Sequence, residues 1–259
     1  MKKTVFHLAV AVTAASLFLI TGLSASDTDE RIESSAKQSY VFNTCLRGDD
    51  IDVQSREGIV TLTGTVSDES GKSLAQETVA GLPGVLGIDN KLEVKEVPAV
   101  HSDAWIIGKV KATLLFHRNV NSAGTEVLAK DGTVTLRGEV DSLAQKDLTG
   151  EYAKDVEGVK DVKNEMTVAG AAMKPGETTM GQKMDAIGES IDDASITALV
   201  KTTLLYHRST SAISTTVETK EGVVTLGGKA GNAAARDLAS KFVSDVRGVK
   251  KVINNMTVE

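Results

Sequence analysis

The sequence predicts an α+β fold made of three tandem small sandwiches. Each runs helix-strand-strand-helix-strand, with two helices on one face of a three-stranded sheet. Two observations predict it. One motif is written three times, as Glu57-Gly-Ile-Val-Thr-Leu-Thr-Gly64, Asp131-Gly-Thr-Val-Thr-Leu-Arg-Gly138 and Glu221-Gly-Val-Val-Thr-Leu-Gly-Gly228. In every copy a further glycine (Gly84, Gly158, Gly248) follows the first after 26 positions, and an asparagine (Asn90, Asn164, Asn254) after 32. Markers that hold register without a gap are the signature of an internal repeat.

Each element has its own physical reason. The opening helix repeats Ile106, Val110 and Leu114 as Ile196, Val200 and Leu204, with Ile32, Ala36 and Tyr40 in the first copy; that spacing makes one apolar face. Asp103 and Asp193 stand where its N-cap is expected. The first strand alternates in Ile51-Asp-Val53, and more weakly around Val127 and Val217. An acidic-Gly pair then marks a tight hairpin turn, glycine supplying the positive φ. Val60 and Leu62, Val134 and Leu136, and Val224 and Leu226 follow at period two, so the two strands are expected to pair antiparallel. A second helix carries Leu74, Val79 and Leu82, or Leu148, Ala153 and Val156, or Leu238, Val243 and Val246. Gly84, Gly158 and Gly248 are expected to stop it. The third strand alternates Ile88, Leu92 and Val94, with Val162, Met166 and Val168, then Val252, Met256 and Val258, in the other copies.

The copies are bounded at 27–97, 102–168 and 192–259. A short joint links the first two, and a flexible linker is expected over 169–191, where Ala, Gly, Pro and Thr show little periodicity. About 70 residues is near the lower limit for one self-sufficient core, so the copies are expected to pack together. Each hairpin turn belongs to one copy, and a valine at Gly132 or Gly222 is expected to destabilise that copy alone.

Residues 1–26 read as a secretory signal peptide: Lys2 and Lys3, a mostly apolar run from Val5 to Ile20, then Ser24-Ala25-Ser26 before the acidic Asp27. No cysteine lies near the cut, which argues against a lipid anchor there. Loss of Lys2 and Lys3 takes the net charge from −6 to −8, an acidity that disfavours nucleic acid as a partner. Cys45 is the only cysteine, so no internal disulfide is expected. It reads as a small apolar residue near its helix end.

Catalytic constellations are missing. Beyond the signal, His101, His117 and His207 show no metal-ligand spacing, and there is no nucleophile elbow or phosphate-cradling loop. Asp49-Asp50 with Asp52 reads as a solvated acidic turn. No enzymatic activity, metal or cofactor is expected.

Differences between copies mark candidate binding residues. The copies hold 7 basic against 14 acidic residues, 9 against 11, and 9 against 7, so the last is least repelled by an anionic surface. Trp105, the sole tryptophan, aligns with Arg31 and Ser195, and Ile107 aligns with Glu33 and Thr197. Two polar counterparts imply a solvent-facing position, hence an apolar patch on the middle copy. That patch either anchors at a membrane–water boundary or packs on a neighbouring copy. His117-Arg118 and His207-Arg208 each close a first helix. They either complement its dipole or, with Lys111 and Lys201, contact anionic headgroups.

The order of elements and the marker residues, with Ser39-Tyr40-Val41-Phe42 and Gly58-Ile-Val-Thr-Leu-Thr-Gly64, resemble the BON domain, a family named for bacterial osmotically inducible and nodulation proteins. The resemblance implies a periplasmic location, a role in envelope stress or integrity, and binding to phospholipid surfaces. Part of the family is linked to chaperone-like protection of exported proteins. The leading expectation is a non-catalytic periplasmic envelope-maintenance protein that binds anionic phospholipid or envelope partners. A periplasmic chaperone and a structural adaptor with protein partners are the alternatives. Intact-mass measurement of the chain recovered from its host should show Asp27, or Ser26, as the first residue; a retained Met1 would overturn export.

Overall fold

The computed structural model describes residues 25–95, 99–169, 191–210 and 214–258. The expected signal segment up to residue 24 and the expected linker over 170–190 lie outside the described residues. Module 1 comprises α1 (Ala25–Gln38), a π-helical turn (Val41–Cys45), β1 (Asp50–Arg56), β2 (Ile59–Val66), α2 (Glu69–Ala80), β3 (Gly87–Asn90) and β4 (Glu93–Val94). Module 2 repeats this as α3 (Asp103–Phe116), β5 (Thr125–Lys130), β6 (Thr133–Val140), α4 (Leu143–Lys154), β7 (Asp161–Asn164) and β8 (Thr167–Val168). Module 3 repeats it again as α5 (Asp193–Tyr206), β9 (Ser214–Lys220), β10 (Val223–Ala230), α6 (Ala233–Ser244), β11 (Lys251–Asn254) and β12 (Thr257–Val258). Three α+β sandwiches in the expected order are present.

In each module the first two strands form an antiparallel hairpin, and the third runs parallel to the second, which is central. A parallel pair needs a crossover, and the second helix supplies it. The third strand is broken into two short pieces, and the repeated asparagine explains the break. Asn164 Nδ2 donates to Lys146 O (2.7 Å) while its Oδ1 accepts from Met166 N (3.3 Å). Asn254 does the same with Arg236 O and Met256 N, and Asn90 with Lys72 O and Leu92 N. One side chain thus pins the crossover helix to the strand and satisfies the amide at the gap.

The hairpin turns have both central residues left-handed: Glu57 and Gly58, Asp131 and Gly132, Glu221 and Gly222. That is a type I′ turn, whose twist matches the strands. A carboxylate from the first helix holds it. Asp193 Oδ2 accepts from Glu221 N (2.7 Å) and Oδ1 from Gly222 N (2.8 Å), and Asp103 and Asp29 bind their own turns alike. The expected N-cap role of Asp103 and Asp193 is therefore corrected by one residue. Ser102 and Asp192 are the caps, leaving the next carboxylates for the hairpin amides.

A second correction concerns the helix stops. The second helices end at Ala80, Lys154 and Ser244, four residues before Gly84, Gly158 and Gly248. The glycines, with φ of 97°, 85° and 83°, instead turn the chain into the third strand. Leu82, Val156 and Val246 lie past the helix end, yet all are buried.

The modules do not stack in sequence order. Helix α2 of module 1 packs along α5 of module 3, with Gly81 close against Ala194. The helix of module 1 breaks at Ser39, and the amides at the break are satisfied by module 3: Tyr40 N donates to Asp192 Oδ2 (2.9 Å) and Val41 N to Ser195 Oγ (3.1 Å). Lys201 pairs with Glu77 at 2.6 Å across the same interface. Modules 1 and 3 share one continuous apolar core, which also takes in Ala112 and Phe116 of module 2. Module 2 keeps a core of its own, closed by Phe242 of module 3.

The shared core of modules 1 and 3 changes what is expected of Gly222→Val, whereas module 2, with a core of its own, leaves the expectation for Gly132→Val as it stands. Gly222 has φ +78°, and a Cβ there would meet Gly248 O at 3.1 Å. Gly222→Val should cost about 2 kcal/mol. Hydrogen exchange should show the β1–β2 amides of module 1 losing protection together with β9–β10. Loss confined to module 3 would show that the shared core does not couple them.

Candidate functional site

Helices α3 and α5 each end on a histidine followed by an arginine, and these two ends meet. His117 and His207 are fully buried, with Nε2 atoms 3.0 Å apart. Each ring is stacked by an aromatic of its own module: Tyr152 on His117 (centroids 3.8 Å, 12°) and Phe242 on His207 (4.0 Å, 14°). Each also faces an aspartate of the other module. His207 Nδ1 lies 3.1 Å from Asp155 Oδ2, and His117 Nδ1 lies 3.3 Å from Asp245 Oδ2.

The backbone repeats the exchange. Arg118 N donates to Asp245 O (2.9 Å), and Arg208 N donates to Asp155 O (2.7 Å). His117 bridges Val246, and Val156 bridges His207, both antiparallel. Reciprocal contacts between equivalent residues define an isologous, two-fold-like interface within one chain. Asp155 and Asp245 follow α4 and α6 as their C-caps, which puts a carboxylate beside each histidine.

Small asymmetries decide the electrostatics. Tyr152 Oη donates to Asp245 Oδ2 at 2.5 Å, and Asn119 Nδ2 donates to Oδ1. Phe242 has no hydroxyl, and Asp155 accepts instead from Ser209 Oγ at 2.5 Å. Burial and the Asp245 carboxylate push the Tyr152 phenol far above its usual range. Burial, with His207 and Arg247 nearby, holds His117 below the ordinary histidine value of 6.5, against the pull of Asp245. Burial alone would raise Asp155, but hydrogen bonds from His207 and Ser209 outweigh it and hold the carboxyl below 3.8.

The candidate headgroup contacts therefore separate. His117 and His207 are sealed inside the junction. The Arg118 guanidinium donates to Ser244 O and Val246 O (both 2.9 Å), and to Val249 O. Arg208 donates to Lys154 O (3.0 Å) while its side chain stays 55% exposed. Lys201 is tied to Glu77. Lys111 lines a cleft between module 1 and α3, beside Cys45, Asp49 and Asp68. Burial pushes the Cys45 thiol up to about 11. Ile107 is partly buried against the core of module 2.

Trp105, like Ile107, is partly buried against the core of module 2. Its counterpart Ser195 is fully buried beneath module 1, so the inference of a solvent-facing position fails in module 3. On α5 the face formed by Ala194, Ser195, Ala198 and Leu199 is covered. On α3 the same face, formed by Ala104, Trp105, Gly108 and Lys109, is covered less: Ala104 is exposed and the other three are partly buried, Gly108 borders the cleft with module 1, and a Cβ there would meet nothing within 4 Å. His101 abuts the indole edge at 5.0 Å. Lys109 Nζ lies 4.6 Å above it and 4.2 Å from the Tyr206 ring. Among the described residues no group of three or more His, Cys, Asp or Glu is placed to hold a metal ion, and no helix is long and apolar enough to cross a membrane.

The family profile described as BON domain matches residues 28–96, 102–170 and 192–259. The chain belongs to the BON family. Osmotically-inducible protein Y of Escherichia coli K12 is 34% identical to it over 143 residues, covering 53% of this chain and 71% of the relative. The outer membrane lipoprotein DolP of Haemophilus influenzae is 30% identical over 158 residues, 60% of this chain and 80% of the relative. A 21 kDa hemolysin of Actinobacillus pleuropneumoniae is 33% identical over 115 residues, 43% and 59% respectively.

Differences among the BON copies also carry a signature of this junction. Modules 2 and 3 share His-Arg at the helix end, an aromatic at Tyr152 or Phe242, and Asp155 or Asp245. Module 1 has Asn43-Thr44, Thr78 and Gly81 at those positions. Four linked differences of this kind were a legible sign of a two-module contact that excludes module 1. Asp245→Ala should destabilise the junction by about 3 kcal/mol, because Tyr152 and Asn119 both lose their acceptor in a buried site. Tyr152→Phe, which copies module 3, should cost about 1 kcal/mol. Chemical denaturation of both variants checks this; equal losses would mean the carboxylate contributes only through Tyr152.

Proposed function

We propose that this chain is a non-catalytic envelope-maintenance protein, exported to the periplasm, whose BON modules bind anionic phospholipid surfaces through the open face of α3. The partly covered stretch around Trp105 and Lys109 carries this reading. One module 1 serves two equivalent helix faces; it covers that of α5 and only borders that of α3, so part of the α3 face remains available for something else. The residues there suit a membrane boundary: an indole that is apolar in body with a polar N–H, and a lysine whose ammonium lies over the ring. Val100, 68% exposed, precedes His101 at the same end of the helix. The names of the relatives, one osmotically inducible and one an outer membrane lipoprotein, support an envelope setting.

A client-shielding chaperone would present one broad apolar patch. Among the described residues the most exposed large apolar side chains, Leu86, Val100, Leu143 and Leu205, belong to all three modules rather than to one element, which supports the lipid reading over the chaperone. A structural adaptor would use the same α3 face for a protein.

Sedimentation with phosphatidylglycerol and with phosphatidylcholine vesicles tests the reading. Binding should be confined to the anionic vesicles, with a blue shift of Trp105 emission. Trp105→Ser should weaken it about tenfold, roughly 1.4 kcal/mol, without unfolding module 2. Salt near 1 M, where the Debye length is about 3 Å, should weaken it further. No binding, or binding indifferent to Trp105, would remove the lipid reading; suppression of client aggregation instead would support the chaperone.

A further inference from the structure

We propose that the His117–His207 contact is a proton-operated latch between modules 2 and 3, closed with at most one added proton and opened by a second. The inference goes beyond the lipid reading and does not depend on it.

Four ring nitrogens lie in a row between two carboxylates. Two neutral imidazoles bring two protons. One on His207 Nδ1 serves Asp155, 3.1 Å away. The other, on His117 Nε2, is donated to His207 Nε2 across 3.0 Å. His117 Nδ1 is then bare, in keeping with its lack of a hydrogen-bond partner. A first added proton fits there, facing Asp245 at 3.3 Å, and completes an unbroken chain from Asp155 to Asp245. A second has only His207 Nε2 left. It would set N–H against N–H at 3.0 Å and place two cations side by side in a site closed to water.

The two carboxylates relieve that repulsion only in part. The end of α4 contributes Asp155 and Tyr152, and the end of α6 contributes Asp245, with Arg247 just beyond it. The helix ends of α3 and α5 add Arg118 and Arg208, and Glu151, Lys154 and Lys241 line the groove outside. Both aspartates already accept other donors, from Tyr152 and Asn119 on one side and Ser209 on the other.

The sign follows from linkage. Burial lowers the proton affinity of His117 in the closed state, whereas both histidines of an opened junction protonate near their ordinary value of about 6.5. Opening therefore takes up at least one proton. The junction is fully stable above about pH 6.5 and weakens as the pH falls below it, by up to about tenfold per unit for each proton taken up. Asp155, held below 3.8, stays ionised across that window. Opening would uncover Tyr152, Phe242 and Val156.

Hydrogen exchange of the whole chain between about pH 7.5 and about pH 5, corrected for intrinsic rates, tests the latch across the histidine range. The inter-module amides of Arg118, Arg208 and Arg247 should lose about tenfold or more of their protection on acidification, while the hairpin amides of module 2 keep theirs. His207→Gln leaves one imidazole and should keep the junction closed at the lower pH. Constant protection in the native chain would overturn the proposal, as would acid opening that persists in His207→Gln. Should that variant fail to close at neutral pH, NMR titration of the native chain decides, with exposed His101 as the reference signal. Two separated steps for His117 and His207 support the latch, and two independent titrations matching His101 exclude it.

Discussion

Two helices on one face of a three-stranded sheet bury only their inner stripes. In a module of about 70 residues the outer stripes need a cover from elsewhere. Helix α5 shows how that constraint is met. Its inner stripe, with Ile196 and Val200, closes the core of module 3, and its outer stripe, with Ala194, Ala198 and Leu199, receives α2 of module 1; all five are buried. Small residues on both sides, among them Gly81 and Ala194, let the two helices approach closely. The last module in the chain thereby becomes the centre of the molecule, bound to module 1 by apolar packing and to module 2 by a polar junction.

The two interfaces follow different physics. The contact between modules 1 and 3 is apolar and continuous, with a few hydrogen bonds where the broken helix at Ser39 releases amides. The contact between modules 2 and 3 is built around buried imidazoles and carboxylates. Such groups add little net stability against apolar substitutes, but they tolerate very few alternative arrangements. Tyr152 and Phe242 stack on the histidines while Asp155 and Asp245 cross over to them, so a slip in register would strand every one of these polar atoms. The junction selects which modules pair, and the apolar interface supplies bulk stabilisation. With only one module 1 to cover two equivalent helix faces, the arrangement leaves the face of α3 around Trp105 only partly covered.

The sequence by itself determined the modules. Alternation at Val60 and Leu62, the acidic-Gly turns, and the spacing of Gly84 and Asn90 depend on contacts a few to about thirty residues apart, and a repeated motif reports those directly. Its errors there were local. Asp103 resembles a cap in sequence because side-chain chemistry does not say which of two neighbouring residues begins the helix. Gly158 was read as a helix stop because a left-handed residue serves equally in the turn that follows. Only the tertiary structure decided how the modules meet, and with that the meaning of the candidate site. His117 and Arg118 have the same composition whether they face a headgroup or a sister module, and Trp105 aligns with a serine whose burial depends on a helix more than a hundred residues away. Periodicity describes one element against its own sheet and carries no information about what covers the other side. That was settled by which outer faces fit together, through shape at Gly81 and Ala194 and through paired charges and rings at His117 and His207.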